Sequence, residues 1–76
     1  MEDNIKTLEE TLKILYSKVG CSDMRIEYNS SNTTKISIHY IRNSHVYMDT
    51  IEESSKEESL LMAIFRISQQ YFDYYY

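Results

Sequence analysis

The chain has 76 residues, of which 42% are hydrophobic and 26% charged, and its formal net charge is −4 at pH 7. This length predicts one domain, residues 1–76, near the lower size at which a hydrophobic core suffices without covalent staples. Eight tyrosines and two phenylalanines argue against a disordered chain, and the single cysteine excludes an intrachain disulfide and a thiolate metal cage.

The chain starts with Met1, Glu2 and Asp3, an acidic and polar stretch without the basic and apolar run of a signal sequence. No apolar stretch approaches the roughly 20 residues that a membrane span needs. We therefore expect a cytoplasmic protein.

An amphipathic helix is predicted first, because apolar residues recur at spacings of three and four, and Gly20 is well placed to end it. These apolar residues are Ile5, Leu8, Leu12, Leu15 and Val19. Three strands follow, each with alternating side chains. One face of the first strand carries Met24, Ile26 and Tyr28, and one face of the second carries Ile36, Ile38 and Tyr40. The third strand carries Val46, Met48 and Thr50 on one face and Tyr47, Asp49 and Ile51 on the other.

The second and third strands are predicted to pair with Tyr40 opposite Met48, through a three-residue loop at residues 43–45. A two-residue loop at residues 43–44 is the alternative. The preferred register places Asp49 on the outer sheet face beside His39, as a solvated pair. On the same outer face it predicts an apolar group of Ile41, Tyr47 and Ile51.

A long helix is predicted last. Ser54 and Ser55 each match the first position of a capping box. The helix carries two overlapping apolar stripes, an arc wider than contact with a sheet requires, so part of this surface is available to another molecule. The stripes are Leu61, Ile64, Phe65, Ser68, Phe72 and Tyr75, and Leu60, Ile64, Ile67, Tyr71 and Tyr74. The whole pattern predicts an α+β fold of order α-β-β-β-α, a three-stranded antiparallel sheet with two helices on one face.

No catalytic or metal site is predicted. His39 and His45 lack a third ligand, and Cys21 follows a helix end, where nothing lowers a thiol pKa. We expect no enzyme activity and no cofactor.

The net charge is concentrated in residues 49–58, which hold five acids and one base; the other acids and bases cancel. The acids of this block are Asp49, Glu52, Glu53, Glu57 and Glu58. Glu57 and Glu58 would also complement the dipole of the last helix, so the block is either a binding surface or a solvated helix start. As a surface it would attract a basic protein and repel nucleic acid.

Tyrosine is the second candidate for binding, because it provides large contact area at low entropic cost. We expect Tyr47, Tyr71 and Tyr74 to contact a partner, with Arg66 at the flank. The alternative is that Tyr71 and Tyr75 pack in the core.

The element order is similar to that of the double-stranded RNA-binding domain. In that family a lysine cluster at the start of the second helix grips phosphates. Residues 54–58 here retain only Lys56 among acids, so the charge is wrong for RNA.

The chain also resembles small acidic phage-encoded anti-CRISPR proteins, in which an acid-rich segment joins a third strand to an apolar helix. The resemblance implies DNA mimicry, in which Asp49, Glu52, Glu53, Glu57 and Glu58 block the nucleic-acid groove of a host defence nuclease. The chain would then act in the host cytoplasm. The alternative function is a self-associating homodimeric module.

Overall fold

The computed structural model describes residues 2–31 and 34–75, with the backbone alone at residues 2, 3, 74 and 75. These residues form helix α1 (Glu2–Lys18), strands β1 (Ser22–Tyr28), β2 (Lys35–Arg42) and β3 (His45–Glu52), and helix α2 (Lys56–Tyr75). The strands make one antiparallel sheet in the order β1-β2-β3. The predicted α+β fold is confirmed.

One hydrophobic core lies between the sheet and the two helices, which pack against each other. Leu12 of α1, Ile36 and Ile38 of β2, and Leu60 of α2 are fully buried. Met24, Ile26 and Tyr28 of β1 pack at its edge. Burial of these apolar side chains is the main source of stability, since it removes apolar surface from water.

Helix α1 ends at Lys18, and Gly20 is the glycine that terminates it, as predicted. Gly20 has a φ of 86°, its N–H donates to the Ser17 carbonyl (3.1 Å), and the Cys21 N–H donates to the Tyr16 carbonyl (3.0 Å). This is the Schellman arrangement, which needs a residue that tolerates positive φ. It turns the chain directly into β1.

Of the two serines that match a capping box, Ser55 is the N-cap of α2. Its hydroxyl accepts a hydrogen bond from the Glu58 N–H (3.1 Å), while the Ser54 hydroxyl donates to the Glu58 carboxylate. One turn later the buried Ser59 hydroxyl accepts from the Glu53 N–H (3.0 Å) and donates to the Thr34 carbonyl. The start of α2 is thereby tied to both β2 and β3.

The predicted register of β2 and β3 is wrong. The hairpin has the two-residue loop Asn43 and Ser44, both with positive φ (53° and 66°), and Tyr40 lies opposite Tyr47 rather than Met48. Two-residue loops with two positive φ values match the right-handed twist of the strands, and asparagine tolerates that conformation. The shift by one residue exchanges the faces of β3.

The outer face therefore differs from the prediction. Ile51 is buried in the core, and Asp49 lies on the inner face opposite Ile38. His39 lies opposite Met48 instead, with its Nε2 4.0 Å from Glu27 of β1. The predicted His39–Asp49 pair does not form, and the exposed apolar side chains of the outer face are Val46 and Met48.

Candidate functional site

The acidic block is divided by the fold. Asp49 points toward the helices and is half-buried, whereas Glu52, Glu57 and Glu58 are exposed and Glu53 is half-buried beyond the end of β3. Alternation along β3 sends Asp49 and Glu52 to opposite faces of the sheet. The five acids thus do not form one surface.

Asp49 is held between two tyrosines. The Tyr16 hydroxyl donates to its Oδ2 at 2.9 Å and the Tyr40 hydroxyl donates to its Oδ1 at 3.4 Å. The rings of Tyr16 and Tyr40 meet edge to face at 5.0 Å, and Tyr47 stacks on Tyr40 at 5.5 Å. These donors compensate the cost of placing a carboxylate beneath the helices.

The same arrangement affects the tyrosines. Burial and the Asp49 carboxylate raise the pKa of Tyr16 well above its ordinary value. Burial and the same carboxylate raise the pKa of Tyr40 to about 12. Both effects penalise the ionised phenolate, so both hydroxyls remain donors across the physiological range.

A cavity of about 300 Å³ opens beside Asp49, between β3 and α2. Residues 48–51 form one wall, and Arg66, Ile67 and Gln70 of α2 form the other, together with Tyr16. Its volume is at the lower end of those that hold small molecules or a single side chain. The sequence does not predict this cavity, because the preferred register places Asp49 on the outer face.

Glu57 and Glu58 begin α2. The nearby cation, Lys56, lies over the Tyr28 ring at 4.4 Å from its centroid, so its charge is directed toward β1. The Tyr28 hydroxyl in turn donates to Glu9 of α1. The helix start therefore presents two exposed carboxylates to solvent.

An exposed apolar stripe continues from these carboxylates along α2. Leu61, Phe65 and Phe72 are 52%, 58% and 57% exposed. They lie at positions i, i+4 and i+11, and Glu57 is four residues before Leu61, so all four share one side of the helix. We call Glu57, Glu58, Leu61, Phe65 and Phe72 the α2 face. Part of the apolar arc of α2 thus lies outside the core, and its contact with another molecule stays a prediction.

The predicted contact tyrosines are dispersed. Tyr47 is exposed at the edge of the inner sheet face, with His45 edge-on at 6.4 Å. Tyr71 is half-buried against the core, as the alternative interpretation expected, and meets Phe72 at 6.0 Å. The Tyr74 and Tyr75 side chains lie outside the described residues, so the contact role of Tyr74 and the core position of Tyr75 stay predictions.

Residues 2–31 and 34–75 were also searched for a metal site, a reactive thiol and a membrane-spanning helix. They contain no cluster of three or more histidine, cysteine or acidic side chains suited to a metal ion. Cys21 is buried, which raises the pKa of its thiol and makes it a poor nucleophile. Neither described helix has the length and apolarity to cross a membrane.

The chain was compared with protein-family models, curated proteins and solved structures, and none of them matches it.

Proposed function

We propose that this chain is a non-enzymatic protein-binding module whose contact surface is the α2 face. The observation that most directly supports this proposal is that two exposed carboxylates and three exposed large apolar side chains share one side of a single helix. An amphipathic helix of this kind binds in an apolar groove of a partner. The carboxylates select a groove with a basic rim.

The exposure of the apolar side chains in this stripe supports the proposal. Large apolar side chains are normally buried, and a contiguous exposed set on a small domain marks a contact site. Phe65 and Phe72 would supply the apolar anchors, since aromatic side chains are enriched at the core of protein interfaces. Glu57 and Glu58 would steer association, since exposed charges change the association rate more than the affinity.

Charge favours a basic partner over a second copy at this face. The bases of α2 are Lys56, which lies over Tyr28, and Arg66, which lines the cavity. Pairing of two α2 faces would therefore bring no cation to Glu57 and Glu58, and parallel pairing would place these acids against their equivalents.

In its most specific form the proposal retains the function that the anti-CRISPR resemblance implies. The partner is then a nucleic-acid-binding host protein, the module covers its basic groove, and both act in the cytoplasm. The acidic contribution comes from Glu57 and Glu58 with Glu52 and Glu53, because Asp49 is directed into the fold.

The test is affinity capture from bacterial lysate with four versions of the chain. Glu57→Lys/Glu58→Lys reverses the acids of the α2 face, and Phe65→Ser/Phe72→Ser removes its apolar anchors. Glu10→Lys/Glu27→Lys is the matched control, because it changes net charge equally at two exposed positions elsewhere. Melting temperatures establish that every variant is folded.

We expect one basic protein to be captured by the native chain and the control, and lost with both α2-face variants. The purified partner should then lose nucleic-acid binding in the presence of the native chain. Capture that survives both variants, or that is lost equally with the control, would overturn the assignment of this face.

Self-association is a second candidate function, favoured by the outer sheet face. Val46 is 77% exposed and Met48 is 58% exposed, and neither helix covers this side. Sedimentation velocity at several concentrations would reveal a dimer, and Val46→Thr/Met48→Thr should dissolve it. A monomer at millimolar concentration excludes this alternative.

A further inference from the structure

Strand β3 is an edge of the sheet. In the described part of the chain it pairs with β2 alone, so alternate backbone N–H and C=O groups along its other side face solvent. An open edge of this kind can accept an additional strand from another chain. Val46, Met48 and Thr50 are all exposed, so no side chain packing closes the strand from the outer face.

The cavity beside Asp49 lies directly under this edge. One wall is residues 48–51 of β3 and the other is Arg66, Ile67 and Gln70 of α2. A strand added next to β3 would alternate its side chains as β3 does. Those on the inner side would enter the space between the sheet edge and α2.

We propose that this groove binds an extended segment of another protein as a fourth strand, with a lysine or arginine side chain directed to the Asp49 carboxylate. Asp49 accepts two tyrosine hydroxyls, whereas a carboxylate has about four acceptor sites. The tyrosines fix the carboxylate in place before the cation arrives. Ile51 and Ile67 would contact the apolar stem of the entering side chain.

Charge distinguishes this occupant from the β3 strand of a second copy. Strand β3 contains no lysine or arginine. Symmetric antiparallel pairing of two β3 strands would place Asp49 against Asp49 or against Tyr47, according to register. Neither arrangement supplies a cation, whereas a basic segment from another protein does.

Arg66 provides an internal control. It is exposed on the opposite wall of the cavity, and no ion pair within the described residues joins it to Asp49. Its positive charge opposes a basic ligand. Neutralising Arg66 should therefore strengthen binding, while neutralising Asp49 weakens it.

The experiment pans phage-displayed random nine-residue peptides against the full chain, with the Asp49→Asn variant as counter-target. Enriched peptides are synthesised and titrated into the native chain, Asp49→Asn, Arg66→Gln and Phe65→Ser. Phe65 belongs to the α2 face, so Phe65→Ser separates this site from the proposed function. Amide hydrogen exchange of the native chain is measured with and without peptide.

We expect enriched peptides to carry lysine or arginine among β-forming residues. The Kd should rise about tenfold in Asp49→Asn, since a charge-assisted hydrogen bond is lost, fall in Arg66→Gln, and stay unchanged in Phe65→Ser. Alternate β3 amides should become protected. The proposal is overturned by an absence of enriched peptides, by peptides without a basic residue, by an Asp49→Asn affinity equal to the native one, or by β3 protection arising from self-association.

Discussion

Asp49 and Glu57 belong to the same acidic run but have opposite environments. Asp49 lies under the helices, where two tyrosine hydroxyls donate to it, and Glu57 stands in solvent on the first turn of α2. The difference arises from the side-chain alternation of β3, which is fixed by the two-residue hairpin loop. Charge density along a sequence therefore does not by itself define a charged surface.

The largest expected effect follows from removing Asp49, the half-buried acid of the two. Asp49→Ala should lower the free energy of unfolding by about 2 kcal/mol, because it leaves the buried Tyr16 hydroxyl without its acceptor. Glu57→Ala should cost less than about 1 kcal/mol, the usual value of an acid at a helix start. Urea denaturation of both variants measures the two values.

Asp49→Asn is the control for shape, since its amide oxygen still accepts a hydrogen bond, and it should cost less than the alanine variant. Equal stabilities of the Asp49→Ala and Glu57→Ala variants would contradict the different roles assigned to the two acids.

Alkaline pH tests the tyrosines around Asp49. The pKa of Tyr40 is about 12 and those of Tyr16 and Tyr28 are also raised, against an ordinary value of 10.0. Above pH 10 these tyrosines ionise in the unfolded chain before they ionise in the folded one. The contribution of their raised pKa values to the free energy of unfolding is therefore complete below pH 10 and is lost as pH rises through the folded pKa values. The slope should be about 1.4 kcal/mol per pH unit for each such tyrosine.

Urea denaturation, monitored by circular dichroism at several pH values between 9 and 11.5, measures that slope. Tyr16→Phe should make the free energy of unfolding depend less on pH, by the contribution of one tyrosine to the slope. An unchanged slope in this variant would show that Tyr16 ionises equally in both states.

A smaller effect is expected at the helix start that displays Glu57 and Glu58. Ser55→Ala removes the hydroxyl that accepts the Glu58 N–H and should cost about 1 kcal/mol. Ser54→Ala removes an exposed contact with the Glu58 side chain and should cost clearly less. Thermal unfolding of the pair distinguishes them, and the reverse order would assign the N-cap to Ser54.

The smallest effect concerns the loop that sets the position of Asp49. Ser44 has a φ of 66°, which glycine adopts without strain. Ser44→Gly should stabilise the chain by about 0.5 kcal/mol, because this loop type favours glycine at its second position. Destabilisation, measured by urea denaturation, would indicate that Ser44 contributes more than its backbone conformation.

The sequence was sufficient for the order of the elements. Hydrophobic periodicity predicted both helices and all three strands, and Gly20 predicted the end of α1, because each signal is local. The sequence does not decide whether Ser54 or Ser55 is the N-cap of α2, since both serines match the same pattern. Only the hydrogen bond to the Glu58 N–H distinguishes them.

The candidate site was harder to predict because it depends on the register of β3. The sequence predicts Met48 on the inner face, since an apolar side chain opposite Tyr40 is the ordinary expectation. In the structure Tyr47 stacks on Tyr40, and Tyr16 of α1 reaches Asp49, a contact between residues distant in the sequence. The cavity follows from that contact, so no local pattern could indicate it.

The buried Ser59 hydroxyl has a consequence for the way the molecule opens. It joins the backbone of Thr34, before β2, to that of Glu53, after β3, and does so from the first turns of α2. Fraying of this helix end would break both hydrogen bonds at once. The helix start and the adjacent ends of the β2–β3 hairpin should thus open together, as one cooperative unit in hydrogen exchange.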